Sequence, residues 1–185
     1  MININHSVRL TFSLMDESDA DLLYQLDQDP AVMRYINGGV TSSMVDIKEK
    51  FIPRMQSYRN ADKYWGLWKV TITETNNFIG WILLRPMNFF TAHPQTDNIE
   101  IGWRFMKKSW GKGYASEAAL HFKNVLTANT AVKQLSAIAM SGNKASIQVM
   151  KKLGMSYLKD GSEQLIHEKV DITYYQLNID RNNNN

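Results

Sequence analysis

The chain is predicted to fold as a mixed α/β domain, a mostly antiparallel sheet flanked by helices. Three observations predict it. Several runs alternate apolar and polar residues with the two-residue period of a strand and are rich in aromatic and β-branched side chains. Other segments repeat apolar residues every three or four positions, the period of an amphipathic helix. The later half then reads strand, glycine loop, helix, strand, helix, as in a sheet with helices packed on it. With 185 residues, 44% of them hydrophobic, the chain can bury a real core in one domain. Residues 1–180 are assigned to that domain, and 181–185, an arginine and four asparagines, to a disordered tail.

The elements follow in order. Val8, Leu10, Phe12 and Leu14 alternate with polar residues and predict a first strand. Ser18 is placed as a helix N-cap with Asp21 three residues on, and Leu22, Leu23 and Leu26 form the apolar face behind it. Pro30 suits the first position of a short helix to about Tyr35, broken by Gly38-Gly39. Thr41 to Ser43 offer another cap. Met44, Ile47, Phe51 and Met55 form the next stripe, which Pro53 is expected to kink or end. Tyr64 to Ile72 and Phe78 to Leu84 read as a hairpin turned at Glu74 to Asn77. Asn88 to Asp97 reads as a polar loop, and Ile99 to Phe105 as a strand. Ala115, Ala118, Ala119, Phe122 and Leu126 mark a buried helix face. Leu135 to Met140 is a short strand. Asn143 to Leu153 is a helix closed by Gly154, and Met155 to Leu158 and Thr173 to Ile179 are late strands.

Composition narrows the chemistry. There is no cysteine, which excludes disulfides, thiolate metal sites and a cysteine nucleophile. His6, His93, His121 and His167 are too scattered to predict a metal site. No apolar run has the length of a membrane span, and the N-terminus lacks a secretory pattern, so a cytoplasmic protein with no membrane partner is expected. The net charge of +3 is unevenly spread: nine basic residues and one acid, Glu117, lie between Arg104 and Lys152. That segment suits a polyanionic ligand, or is a set of solvated helix faces. Nucleic acid is not expected, because no aromatic-basic motif of the RNA-binding kind is present.

The basic half also holds the most informative motif, Trp110-Gly111-Lys112-Gly113-Tyr114-Ala115, between a strand and a helix. The first amides of a helix lack intrahelical partners and carry partial positive charge, so they suit phosphate. Lys112 reads either as a phosphate contact or as solvated; Trp110 and Tyr114 read as packing residues. Glu100 alternates with Ile99 and Ile101 and faces either solvent or a cleft, where its carboxylate would accept a proton from an amine. Asn143 and Ser146 stand where a strand gives way to a helix. Each reads as a capping residue or as a ligand contact. No G-x-S-x-G elbow, P-loop or dinucleotide fingerprint is present.

Taken in order, Glu100-Ile101-Gly102-Trp103, the loop Trp110 to Ala118, Asn143-Lys144-Ala145-Ser146 and Lys152-Leu153-Gly154-Met155 resemble the GNAT superfamily of acetyl-CoA-dependent N-acetyltransferases. Asp29 to Ile36, Phe78 to Trp81 and Leu84 to Pro86 are similar to the branch of ribosomal-protein N-terminal acetyltransferases. The resemblance covers nearly the whole chain. It implies a sheet of about six or seven strands splayed at its middle. It implies that Gly111, Lys112, Gly113, Tyr114 and Ala115, with Lys108 and Trp110, hold the CoA pyrophosphate. Gly102, Trp103 and Arg104 would pair with the pantetheine arm, and Asn143 and Ser146 would touch that arm from the other side. Glu100 matches the family's general base. Two departures stand out. Lys108 occupies a position where the family often has arginine or glutamine, and offers only a point charge. Met150 occupies the position of a tyrosine that protonates the departing thiolate. Ser141, Tyr174, Tyr175 or solvent would replace it. The implied function is acetyl transfer to a primary amine, a protein N-terminus (including a ribosome-associated protein) or a small molecule, in a monomer or homodimer. A non-catalytic acyl-CoA-binding regulatory module and an RNA- or ribosome-binding protein are the alternatives.

Overall fold

A seven-stranded sheet organises residues 4–165 and 169–179, which the computed structural model describes. Its strands are β1 (Leu10–Leu14), β2 (Gly66–Ile72), β3 (Asn77–Met87), β4 (Gln95–Phe105), β5 (Gln134–Met140), β6 (Ser156–Gln164) and β7 (Lys169–Asn178). Their order is β1-β2-β3-β4-β5-β7-β6, antiparallel throughout except where β4 meets β5. The helices are α1 (Ala20–Asp27), α2 (Pro30–Asn37), α3 (Met44–Asp46), α4 (Ile52–Tyr58), α5 (Tyr114–Asn129) and α6 (Lys144–Lys152).

Strand alternation divides the core in two. On one face Phe12, Val70, Ile82, Leu84, Ile99 and Ile101 pack against Ala118, Phe122 and Leu126 of α5, Met150 of α6 and Leu153 at its C-terminal end. On the other, Trp81 and Leu83 pack against Leu23, Leu26, Ile47, Ile52 and Met55. Both faces of β3 are thus covered, which is why Phe78 to Leu84 reads as a nearly continuous apolar run.

Several local expectations are corrected. Ser18 is not the cap. Asp16 accepts the Ser18 N–H at 2.9 Å, and Asp19 returns the favour to the Asp16 N–H at 3.1 Å, so a short 3-10 turn precedes α1. Val8 lies outside β1 and is 93% exposed, because strand pairing begins only at Leu10. α2 runs two residues past Tyr35, which sits at a non-helical φ of −99° and ψ of 18°. Pro53 does not stop its helix. The π-helical turn Ile47–Phe51, in which the Ile52 N–H reaches back to Ile47, carries the chain past it into α4. The loop after Asn88 is shorter than expected, since β4 begins at Gln95. The last two strands are longer than expected and pair as a hairpin. β6 is a polar, exposed edge strand, so it carries little apolar alternation to read. His167 and residues 181–185 lie outside the described residues.

The sheet opens where the site lies. β4 and β5 pair only at Asn98 with Gln134, Ile99 with Leu135 and Glu100 with Ser136. Beyond Glu100 they diverge, while β4 stays paired to β3 through Phe105. Among the described residues, the edge of β4 from Ile101 onward is therefore without a strand partner on the β5 side. Asn98, Ser136 and Gln176 form a hydrogen-bonded chain at the closed end: Ser136 Oγ donates to Asn98 Oδ1 at 2.9 Å, and Gln176 reaches Ser136 at 3.2 Å.

Candidate active site

The divergence of β4 and β5 leaves a cavity of about 350 Å³. Trp103, Arg104 and Phe105 of β4 form its floor, Trp110, Gly111 and Gly113 to Ser116 one end, and α2 and α6 its sides. Of the residues the sequence singled out, Trp103, Arg104, Trp110, Gly111, Gly113, Tyr114, Ala115, Asn143 and Ser146 meet here.

The glycine turn is tight and faces outward. Gly111 and Gly113 adopt φ of 74° and 80°, a left-handed conformation costly for other residues. A Cβ on Gly111 would meet nothing within 4 Å among the described residues, so the turn faces outward there. Gly113 caps α5 without a side-chain acceptor. Among the described residues, the first N–H after the turn to find a backbone acceptor is that of Glu117, on the Gly113 carbonyl at 3.0 Å. Trp110 is fixed beside the turn by its indole N–H, which donates to the Phe105 carbonyl at 2.8 Å.

Arg104 enters the cavity wall from β4. Its guanidinium is paired with Asp27 of α1 and stands 5.0 Å from the Trp81 ring centroid. Asp27 also accepts from Ser42 Oγ at 2.7 Å. The buried Nε of Arg104 has no acceptor among the described residues. Asn143 caps α6, its Oδ1 accepting the Ser146 N–H at 3.1 Å, and it lines the cavity as well. The capping and ligand-facing readings are thus compatible.

Six singled-out residues lie elsewhere. Lys108 borders a separate concavity with Leu22, Gln25 and Lys69. Lys112 contributes its carbonyl, which accepts from Arg9 at 3.2 Å, while its side chain is exposed. Gly102 and Glu100 share the face of β4 turned toward α1–α4; Gly102 packs on Leu83. Glu100 is engaged by Arg85, whose Nε and Nη2 donate to its two oxygens at 2.8 and 3.1 Å. Next to them burial, opposed by Arg85 and reinforced by Glu100, pushes the Tyr58 phenol up to about 12. Ser141 is exposed at the end of β5, its N–H on the Asp171 carbonyl at 2.9 Å. Met150 is fully buried and packs in the core.

The sequence reading missed part of the cavity wall. Ala31, Val32, Tyr35 and Ile36 of α2 line it, as do Ala145, Gln148, Val149 and Lys152 of α6. The α6 set was legible, since the spacing 145, 148, 149, 152 is one helix face. The α2 set was not, because nothing local says what α2 faces.

The family model described as acetyltransferase (GNAT) domain matches residues 9–156. The uncharacterized protein YkkB of Bacillus subtilis is 32% identical over 159 residues, spanning 82% of this chain and 84% of its own. The acetyltransferase (GNAT family) from Bacillus anthracis has a similar fold, with a TM-score of 0.75 at 24% identity over 94% of this chain and 97% of its own. RimL, the ribosomal L7/L12 alpha-N-protein acetyltransferase solved in complex with coenzyme A, has a TM-score of 0.72 at 16% identity, covering 96% of this chain and 97% of its own.

Proposed function

The chain belongs to the GNAT acetyltransferase family, and from that premise we propose that it moves the acetyl group of acetyl-CoA directly to a primary amine within a ternary complex. One observation carries the reading: the outward-facing glycine turn and the unpaired edge of β4 open into the same cavity. The residues fit the co-substrate. N–H groups at the start of α5 suit the pyrophosphate, and the orphaned Nε of Arg104 and the nearby Lys152 suit an anionic or carbonyl-bearing ligand. The edge of β4 at Gly102–Arg104 suits a chain bearing amides, such as pantetheine. Asn143 and Ser146 would contact that arm from α6.

Acetyl-CoA supplies an activated thioester. A backbone N–H of Gly102–Arg104 would stabilise negative charge on the acetyl oxygen. Glu100 would receive the proton of the acceptor amine, directly or through water. Arg85 occupies two of the roughly four lone-pair sites of its carboxylate, leaving the others for that role. Two hydroxyls are candidates to return a proton to the leaving sulfur: Ser141, and Tyr35, which lines the cavity. The absence of cysteine excludes a cysteine-linked acyl-enzyme and favours direct transfer. The acceptor is a protein N-terminus or a small-molecule amine.

The engagement of Glu100 by Arg85 also favours a second reading, a module that binds acyl-CoA without turnover. Acetyl-CoA consumption against a panel of peptides and small amines, with wild type and Glu100→Gln, separates the two. An enzyme turns over at least one amine and loses rate far more than CoA affinity in the variant. No turnover with any amine, alongside intact CoA binding, supports the module.

A further inference from the structure

The glycine turn is held in place by a side chain from the other end of the chain. Arg9, one residue before β1, lies beside it. Its Nε donates to Glu117 Oε2 at 2.7 Å, its Nη1 donates to the Lys112 carbonyl at 3.2 Å, and its guanidinium lies 4.6 Å from the Tyr114 ring centroid. A Cβ on Gly113 would stand 3.5 Å from its Nη2, so the guanidinium also packs against the second glycine. Glu117, in the first turn of α5, is the anchor. Its Oε1 accepts from Ser7 Oγ at 2.7 Å and from the Arg9 N–H at 2.8 Å. Burial works against its charge, but these hydrogen bonds outweigh it and hold the carboxyl below its ordinary range. One guanidinium thus touches, directly or through Glu117, four of the six residues from Lys112 to Glu117.

A surface ion pair that only stabilised the fold would have no need to grip a loop carbonyl and stack on the first helical residue. We infer that Arg9 and Glu117 are positioning residues for the cofactor: they fix the 111–114 backbone so that its N–H groups converge on one point. The inference rests on the reading that this turn holds the CoA phosphates. It adds that their affinity depends on a residue outside the cavity wall, about a hundred positions away in the chain.

The test is CoA binding to wild type, Arg9→Ala, Arg9→Lys and Glu117→Gln, followed by calorimetry and by NMR of the loop amides, with pantetheine as a phosphate-free probe. Loss of the charge-assisted bonds is expected to weaken CoA about 10-fold in Arg9→Ala, with pantetheine unchanged within about twofold. Arg9→Lys keeps the charge but not the fork, and recovers only part of the loss. Arg9→Ala should also shift the Gly111 and Gly113 amide resonances of the free protein. Adding Arg9→Ala to Glu117→Gln should cost less than the sum of the two, since they form one unit. Equal weakening of CoA and pantetheine, full rescue by lysine, or unaltered CoA affinity in Arg9→Ala each overturns the inference. Wild type that binds no CoA overturns the underlying reading as well.

Discussion

Asp27→Asn is the sharpest test of how the cavity floor is held. Arg104 and Asp27 pair with side chains only 10% and 5% exposed. Around them lie Ser42 Oγ at 2.7 Å from the carboxylate, the Met33 sulfur 3.7 Å from Nη1, and the Trp81 ring. Asparagine keeps the size and can still accept from Ser42 or Arg104, but leaves the guanidinium charge buried without a counter-charge. Breaking such a pair costs about 3–5 kcal/mol. The retained hydrogen bond places the expected loss near the lower end, about 3 kcal/mol. For a domain of this size that corresponds to a fall in Tm of about 6–12 °C. Urea denaturation of wild type, Asp27→Asn, Arg104→Met and the double variant Asp27→Leu/Arg104→Met measures it. The double variant should lose less than the two single variants together, because no charge is left stranded. A loss under about 1 kcal/mol in Asp27→Asn, the range of an exposed pair, would refute the argument.

Three further outcomes are expected. Gly80→Ala should destabilise by at least about 2 kcal/mol and weaken CoA binding, because at φ of 148° its Cβ would fall 2.2 Å from the Arg104 carbonyl oxygen and 2.8 Å from Phe105 Cα and displace β4; chemical denaturation and calorimetry check both effects. Tyr35→Phe should lower the rate of acetyl transfer more than Ser141→Ala does, with little change in CoA affinity, since only Tyr35 lines the cavity; steady-state rates with one active amine decide it. Burial lowers the pKa of His121, stacked on Phe12 at 4.8 Å, below its ordinary 6.5. The unfolded chain therefore binds the extra proton first, stability is full above that value, and it falls as pH drops through it. The urea midpoint should hold steady above about pH 7, decline as pH drops below 6.5 in wild type, and stay flatter in His121→Phe. Glu117, whose folded pKa is lowered from 4.5, adds a separate loss only below that value.

The parts of the fold legible in the sequence were those written in local periodicity. The hairpin β2–β3, the strand before the glycine turn, α5, and α6 with its Gly154 end stand close to where alternation and helix spacing put them. What local pattern does not encode was missed. Pro53 argues for a kink or an end; the helix does not end, and the irregularity takes the form of a widened turn at Ile47–Phe51, set by how 47–58 packs on the sheet. Only the first residues of β6 were read as strand; Lys159 to Gln164 are polar and show no alternation, so pairing with β7 is what extends the strand through them. At the cavity, the glycine turn and the Asn143 cap were readable because a strand-to-helix loop and a helix N-cap follow from residue type and position. Arg9 was not, since its partners lie about a hundred residues away and meet it only in the folded chain, and Tyr35 was not, since nothing local says what α2 faces. Glu100 was found by alternation, but its partner Arg85 is a cross-strand neighbour that depends on register.

The central claim is that the N–H groups opening α5 receive the CoA diphosphate. Amide chemical shifts followed during a CoA titration test it most directly. The account predicts that the largest changes fall on Gly111 to Ser116, smaller ones on Trp103 to Phe105 and Asn143 to Ser146, and none on the Lys108 concavity. Changes centred on Leu22, Lys69 and Lys108, or a glycine turn that stays silent while CoA binds, would contradict it.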